Sequence, residues 1–206
     1  MKLFKKKKET DVVSHYDALI AEGNDPVCDP EPLKEYMGKW DGKEFIDALS
    51  LTEHDSVLEI GVGTGRLAVR TAPLCKSFTG IDISPKTLET AKEHLSKIGD
   101  VNLICADFLH WQPDCTFDVV YSSLTFMHFE DKQQAVSHAA ELLSPDGRLI
   151  ISIDKNDSDY IYTGSRRVRI YPDTPETIIS CMKNAGLNIT DTIERPFSFV
   201  VISTKN

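Results

Sequence analysis

A short apolar run, Val57–Ile60, is followed at once by three glycines within five residues, in the stretch VLEIGVGTGRLA. Glycines spaced so tightly fill no core. They let the chain adopt positive φ and let another group come close to the main chain. A buried strand that ends in such a turn and leads into a helix is the opening unit of a doubly wound α/β sheet, whose first turn faces the bound ligand. A chain built this way must supply more strands that are apolar on both faces, with helices between them.

It does. After SVLEIG comes GRLAVRTAPL, with helical periodicity, then the strand SFTGIDI and the helix SPKTLETAKEHLSKIG. That helix has Ser84 as N-cap, Pro85 in its first turn and Gly99 as its expected stop. VNLICAD and FDVVYSS read as strands three and four. DKQQAVSHAAELLSPDG reads as a helix closed by a Pro-Asp-Gly turn, and RLIISI as strand five. TPETIISCMKNAG is a helix ended by Gly186. LNITDTIE and FSFVVIST then form two strands around a turn at Pro196, which suits a hairpin on the edge of a parallel sheet. The expectation is an α/β fold with a doubly wound, seven-stranded, mostly parallel sheet, an antiparallel C-terminal hairpin strand and a helical N-terminal cap. Residues 1–50, with helical patterns in DVVSHYDALIAEG and GKEFIDALS and no strand of their own, form the tail and cap; residues 51–206 form the ligand-binding domain.

At 206 residues and a net charge of −9, the chain suits one domain and does not suit a stable nucleic-acid binder. Its five cysteines are odd in number, with no CxxC pair and no metal-ligand spacing, so reduced thiols, a cytoplasmic location and no metal are expected. No apolar run approaches the roughly 18 residues of a membrane span. The run Lys5–Lys8 precedes polar residues and so is no signal peptide; it reads as a solvated tail, with contact to an anionic membrane surface as the alternative.

The dinucleotide fingerprint GxGxxG needs a small residue at its last position, and counting from Gly61 that position is Arg66. There is also no YxxxK pair, so a nicotinamide-dependent oxidoreductase is the weaker reading. LEIGVGTG instead resembles the first motif of the class I S-adenosylmethionine-dependent methyltransferases. TGIDIS, CADFLHW, FDVVYSSLTFMHF and LLSPDGRLIIS resemble, in order, the segments that follow in that family. The resemblance implies S-adenosylmethionine as cofactor and S-adenosylhomocysteine as product. Gly61, Gly63 and Gly65 would admit the methionine end, and Glu59 would lie near its ammonium and sulfonium charges. Asp82 would hold the ribose hydroxyls, with a carboxylate suited to accept both hydrogens of a diol. Ile83 would cover the adenine, Asp107 would accept from its amino group and the Phe108 N–H would meet a ring nitrogen. Ser122 belongs to the segment passing beneath the methionine. A tyrosine in the position of Tyr16 can reach the methionine carboxylate.

His128, just beyond strand four, is the candidate catalytic residue, either as a general base for an oxygen or nitrogen acceptor or as a positioning group. Arg166, Arg167 and Arg169 could grip an anionic small-molecule acceptor, or could pair with the acidic surface. A protein that binds the cofactor without turnover is the non-enzymatic alternative.

Overall fold

The computed structural model describes residues 7–206. The N-terminal part runs through β1 (Lys8–Thr10), α1 (Val12–Ala21), α2 (Glu31–Asp41) and α3 (Lys43–Leu49). The central part alternates β2 (Ser56–Ile60), α4 (Ala68–Thr71), β3 (Ser77–Asp82), α5 (Pro85–Leu95), β4 (Val101–Cys105), β5 (Phe117–Ser123), α6 (Lys132–Glu141) and β6 (Leu143–Asp154). Then come β7 (Tyr160–Thr163), β8 (Arg166–Arg169), α7 (Pro175–Asn184), β9 (Leu187–Glu194) and β10 (Ser198–Lys205).

Seven strands form one sheet in the order β4-β3-β2-β5-β6-β10-β9. All neighbours are parallel except around β10, which runs antiparallel to β6 and β9. The order reverses at β2, where the chain steps outward to β3 and β4 before returning to the other side as β5. Ligands of such sheets bind at the carboxyl ends of the strands beside this switch point. One face buries Ala135, Val136 and Ala139 of α6 with Ile178 and Met182 of α7. The other buries Phe45 and Leu49 of α3 with Leu88, Ala91 and Leu95 of α5. The result is three layers, helix–sheet–helix, with both faces of β2 and β5 inaccessible to water.

The structure departs from the sequence reading in several places, one being β6, which begins at Leu143 and so takes in the Pro-Asp-Gly stretch expected to close the preceding helix. The helix expected over GRLAVRTAPL is one α-turn followed by a 3-10 turn at Ala72–Leu74, because Pro73 cannot continue an α-helix. The helix capped by Ser84, whose hydroxyl accepts from the Thr87 N–H at 3.3 Å, stops at Leu95 rather than Gly99. α2 forms within the segment that the sequence reading left between two helical patterns, with its prolines confined to the N-terminus.

The last departure is a second, three-stranded sheet in the order β1-β8-β7. β1 lies parallel to β8, so the cap includes a strand, and Lys8 pairs with Arg166 instead of standing in a solvated tail. Lys5 and Lys6 lie outside the described residues. No helix among the described residues is long and apolar enough to cross a membrane.

Candidate functional site

The carboxyl ends of β2, β3, β4 and β5 open into two adjoining cavities of about 360 Å³ and 160 Å³. The larger is lined by Gly61, Gly63, Asp82, Ile83, Asp107 and Phe108, and on its far side by Tyr16, Leu124, Thr125 and His128. The smaller is lined by Glu59, Arg66 and Thr64, by Leu19 of α1 and by Asn24 and Pro26 just after it. Gly61, Gly63, Tyr16 and Ser123 border both, so the two form one elongated groove.

The glycines do different things. Gly61 has φ +79, and a Cβ there would lie 2.1 Å from Thr125 Oγ1, so the β2 end can pass this residue only without a side chain. Gly63, at φ +55, would direct a Cβ into open space within the groove. Gly65, at φ +90, sits against Leu95 and Ala91 of α5 and lines neither cavity. The site therefore has a main-chain cradle at Gly63 that a side chain would fill, as expected where a ligand approaches the backbone.

Asp82 ends β3 and accepts from the Gly63 N–H (2.9 Å), the Ser84 N–H (2.9 Å) and the Thr87 hydroxyl (3.3 Å). Burial raises its pKa, and these donors oppose the rise. Ile83, 40% exposed, is an apolar side chain left open beside the larger cavity. Asp107 caps the turn at Phe108–His110, accepting from the Leu109 N–H at 3.0 Å and from His110 Nδ1 at 2.9 Å.

Glu59 is buried with Tyr121 and accepts its hydroxyl hydrogen at 2.8 Å, while the Tyr121 oxygen also lies 2.8 Å from the Thr71 hydroxyl. Burial pushes the Glu59 pKa up to about 8, against the pull of Tyr121 and of nearby Arg66. Arg66 in turn forms a two-pronged pair with Asp41, the fully buried last residue of α2, which also accepts from Ser123 Oγ. This pair ties the glycine loop to the N-terminal segment and accounts for a cation where a dinucleotide loop would carry a small residue.

Tyr16 and His128 meet through Tyr16 Oη and His128 Nε2 at 2.8 Å, with the rings edge to face. Burial, together with the charges of His15 and Lys132, lowers the His128 pKa to about 4; Tyr16 is raised by burial and by Asp82. Leu124, next in the wall, is held at φ +57, a conformation that side-chain-bearing residues adopt at a cost and that concentrates at binding sites.

Besides Gly65, which lies against α5 and not in the groove, two expectations fail on geometry. Ser122 lies outside the groove, fully buried with its hydroxyl donating to the Ile60 carbonyl at 3.0 Å; alternation along β5 puts Ser123 there instead. The three arginines do not line either cavity. Arg166 is paired with Glu22, Arg167 with Glu9 and the Tyr160 ring, and Arg169 with Asp159 and Tyr160. Of the residues the sequence reading passed over, Asp41, Ser123 and Leu124 leave no local signal, since their placement depends on contacts between distant segments.

Residues 58–151 match the family model described as "Methyltransferase domain". A malonyl-[acyl-carrier protein] O-methyltransferase of Ilyobacter polytropus is 31% identical over 120 residues, covering 53% of this chain and 44% of that one. A ubiquinone biosynthesis O-methyltransferase of Neisseria meningitidis serogroup C is 29% identical over 168 residues, covering 72% and 70%. The fold is shared with the N-methyltransferase NodS of Bradyrhizobium japonicum in complex with S-adenosyl-L-homocysteine, at a TM-score of 0.68 and 18% identity over 92% of this chain and 97% of that one. The chain spans about half the length of the first curated relatives it matches. Residues 58–151 thus match a methyltransferase domain, and the fold around them is the one that solved methyltransferase structures share.

Proposed function

We propose that the protein transfers the methyl group of S-adenosylmethionine to an oxygen or nitrogen atom of a small molecule. The observation that carries this reading is the groove itself: a main-chain cradle at Gly63 with the Asp82 carboxylate on one side and the Glu59 carboxyl, with Arg66 near it, on the other. An adenosyl group linked to an α-amino acid offers a ribose diol for the first and an ammonium for the second. The bound cofactor supplies an activated methyl on a sulfonium. Its methyl would pass to the acceptor's lone pair as the C–S electrons return to sulfur, with the acceptor's proton leaving to solvent.

The protein's share of the work is to hold the two reactants in line and keep water out. In this reading Asp82, Ile83, Asp107 and Phe108 fix the adenosine, and Glu59, Gly61 and Gly63 fix the amino-acid end. His128 changes charge near pH 4, so it is neutral at neutral pH, and its Nε2 is already bonded to Tyr16. A base so weak contributes little to proton removal. We therefore assign His128 and Tyr16 to positioning the wall of the groove rather than to base catalysis. The relatives' names favour oxygen or nitrogen acceptors, and with Arg166, Arg167 and Arg169 paired elsewhere no observation favours an anionic one. The odd cysteine count supports a reducing, cytoplasmic location.

Titration of the purified protein with S-adenosylmethionine, S-adenosylhomocysteine, NADH and NADPH tests the assignment. Binding of the two adenosyl compounds alone is expected, and Asp82→Ala should weaken it by about 1.5–3 kcal/mol, the worth of hydrogen bonds to a charged group. Binding of a nicotinamide nucleotide alone would overturn the reading.

A further inference from the structure

Behind the wall of the smaller cavity, three metal-ligating side chains converge from two distant segments. The turn Asp25–Cys28 is closed by the Cys28 N–H donating to the Asp25 carbonyl at 3.0 Å, with Pro26 in the bend. The Asp25 side chain uses one oxygen, Oδ1, to accept from the Val27 N–H at 3.2 Å, which leaves Oδ2 for another partner. His94, near the end of α5, meets both: its Nε2 lies 3.1 Å from Asp25 Oδ2 and 3.8 Å from Cys28 Sγ. All three donor atoms fall within 4.8 Å of one another.

The other nitrogen of the imidazole fixes the orientation of the ring. His94 Nδ1 lies 3.0 Å from the Thr64 carbonyl, which can only accept, so Nδ1 carries a proton. Nε2 thus faces the Asp25 carboxylate at 3.1 Å, a contact that a second ring proton or a bound cation satisfies. A ring nitrogen fixed by a backbone carbonyl, with the opposite nitrogen free, is also how proteins orient metal-binding histidines. Zinc bonds of about 2.0–2.3 Å in a tetrahedron set neighbouring donor atoms about 3.3–3.6 Å apart, close to the separations seen here.

We propose that Asp25, Cys28 and His94 form a site for a thiophilic divalent cation such as zinc, with water completing the coordination. The thiolate, imidazole and carboxylate are the ligand types that zinc takes, and a mixed set with sulfur disfavours magnesium and calcium. The ion clips the segment after α1 to α5 and, through Thr64, to the glycine loop. Asn24, Pro26 and Thr64 all border the smaller cavity, so the clip braces that wall. The site stands independently of the proposed methyl transfer, because its ligands lie outside the groove.

The test uses the tag-free full chain, stripped with a chelator, reduced with a phosphine and titrated with cobalt(II). One equivalent should produce the near-ultraviolet thiolate-to-cobalt charge-transfer band together with visible bands of tetrahedral cobalt. Zinc should displace both and raise Tm. In Cys28→Ser the charge-transfer band and the zinc-dependent rise in Tm should disappear, and in Asp25→Asn the titration should need excess metal. Cys28 is exposed, so its replacement leaves the core untouched. Absence of a band in the wild type, or a band that survives in Cys28→Ser, would overturn the proposal.

Discussion

Glu59 is a buried carboxyl at the wall of the smaller cavity. Its carboxyl is held at about 8 by burial, against an ordinary value of 4.5. A carboxyl raised on folding stabilises the protein fully below the unfolded value, and that contribution is lost as the pH climbs from about 4.5 through about 8. Glu59→Gln should therefore keep Tm level over a range where the wild-type Tm falls. A ligand ammonium beside Glu59 favours the carboxylate and lowers its pKa. Binding at pH 7 then releases a proton, and affinity for S-adenosylmethionine rises between pH 6 and 8. Calorimetry in two buffers of different ionisation enthalpy measures that proton directly. Proton release that persists in Glu59→Gln would remove Glu59 from the cation's neighbourhood.

At the scale of elements, the β2–α4 turn separates packing from binding. Gly61→Ala drives a methyl into Thr125 as well as forcing a left-handed backbone on alanine, so it should lower Tm sharply. Gly63→Ala carries only the backbone cost, about 1–2 kcal/mol, yet places its methyl in the groove. It should melt a few degrees below wild type and lose most of its affinity for S-adenosylhomocysteine. Thermal unfolding and titration of the two variants side by side check this. The glycine turn, the strand end at Asp82 and the Ser84 cap were legible in the sequence because each depends on residues close in the chain. The Arg66–Asp41 pair, the Tyr121–Glu59 bond and the shift from Ser122 to Ser123 were not, because each is set by which strand or helix packs opposite. The β1–β8 pairing is the extreme case: KET has no apolar alternation, and only the partner's backbone makes it a strand.

Over the whole molecule, stability is distributed unevenly. β2, β5 and β6 lie in the middle of the large sheet and are covered on both faces, whereas β1, β7 and β8 make a small ribbon with exposed positions. Amide hydrogen exchange should accordingly be slowest in β2, β5 and β6 and faster by orders of magnitude in α1 and the ribbon. S-adenosylhomocysteine should slow exchange in α1, which supplies Val12 and Tyr16 to the groove, and leave β9 unchanged. Protection confined to β9 would place the ligand elsewhere.

The ribbon also bears on how the protein is made. Glu9 and Arg167, which face each other across it, are 158 residues apart in the chain. At about 5–20 residues per second, a ribosome needs roughly 8–30 s to deliver the second after the first. During that interval β2, β3 and their glycine turn can already pair, while the segment bearing Tyr16 has no ribbon to dock against. A nascent chain paused before β8 would hold a formed cradle beneath an absent wall, with its apolar lining open to chaperones.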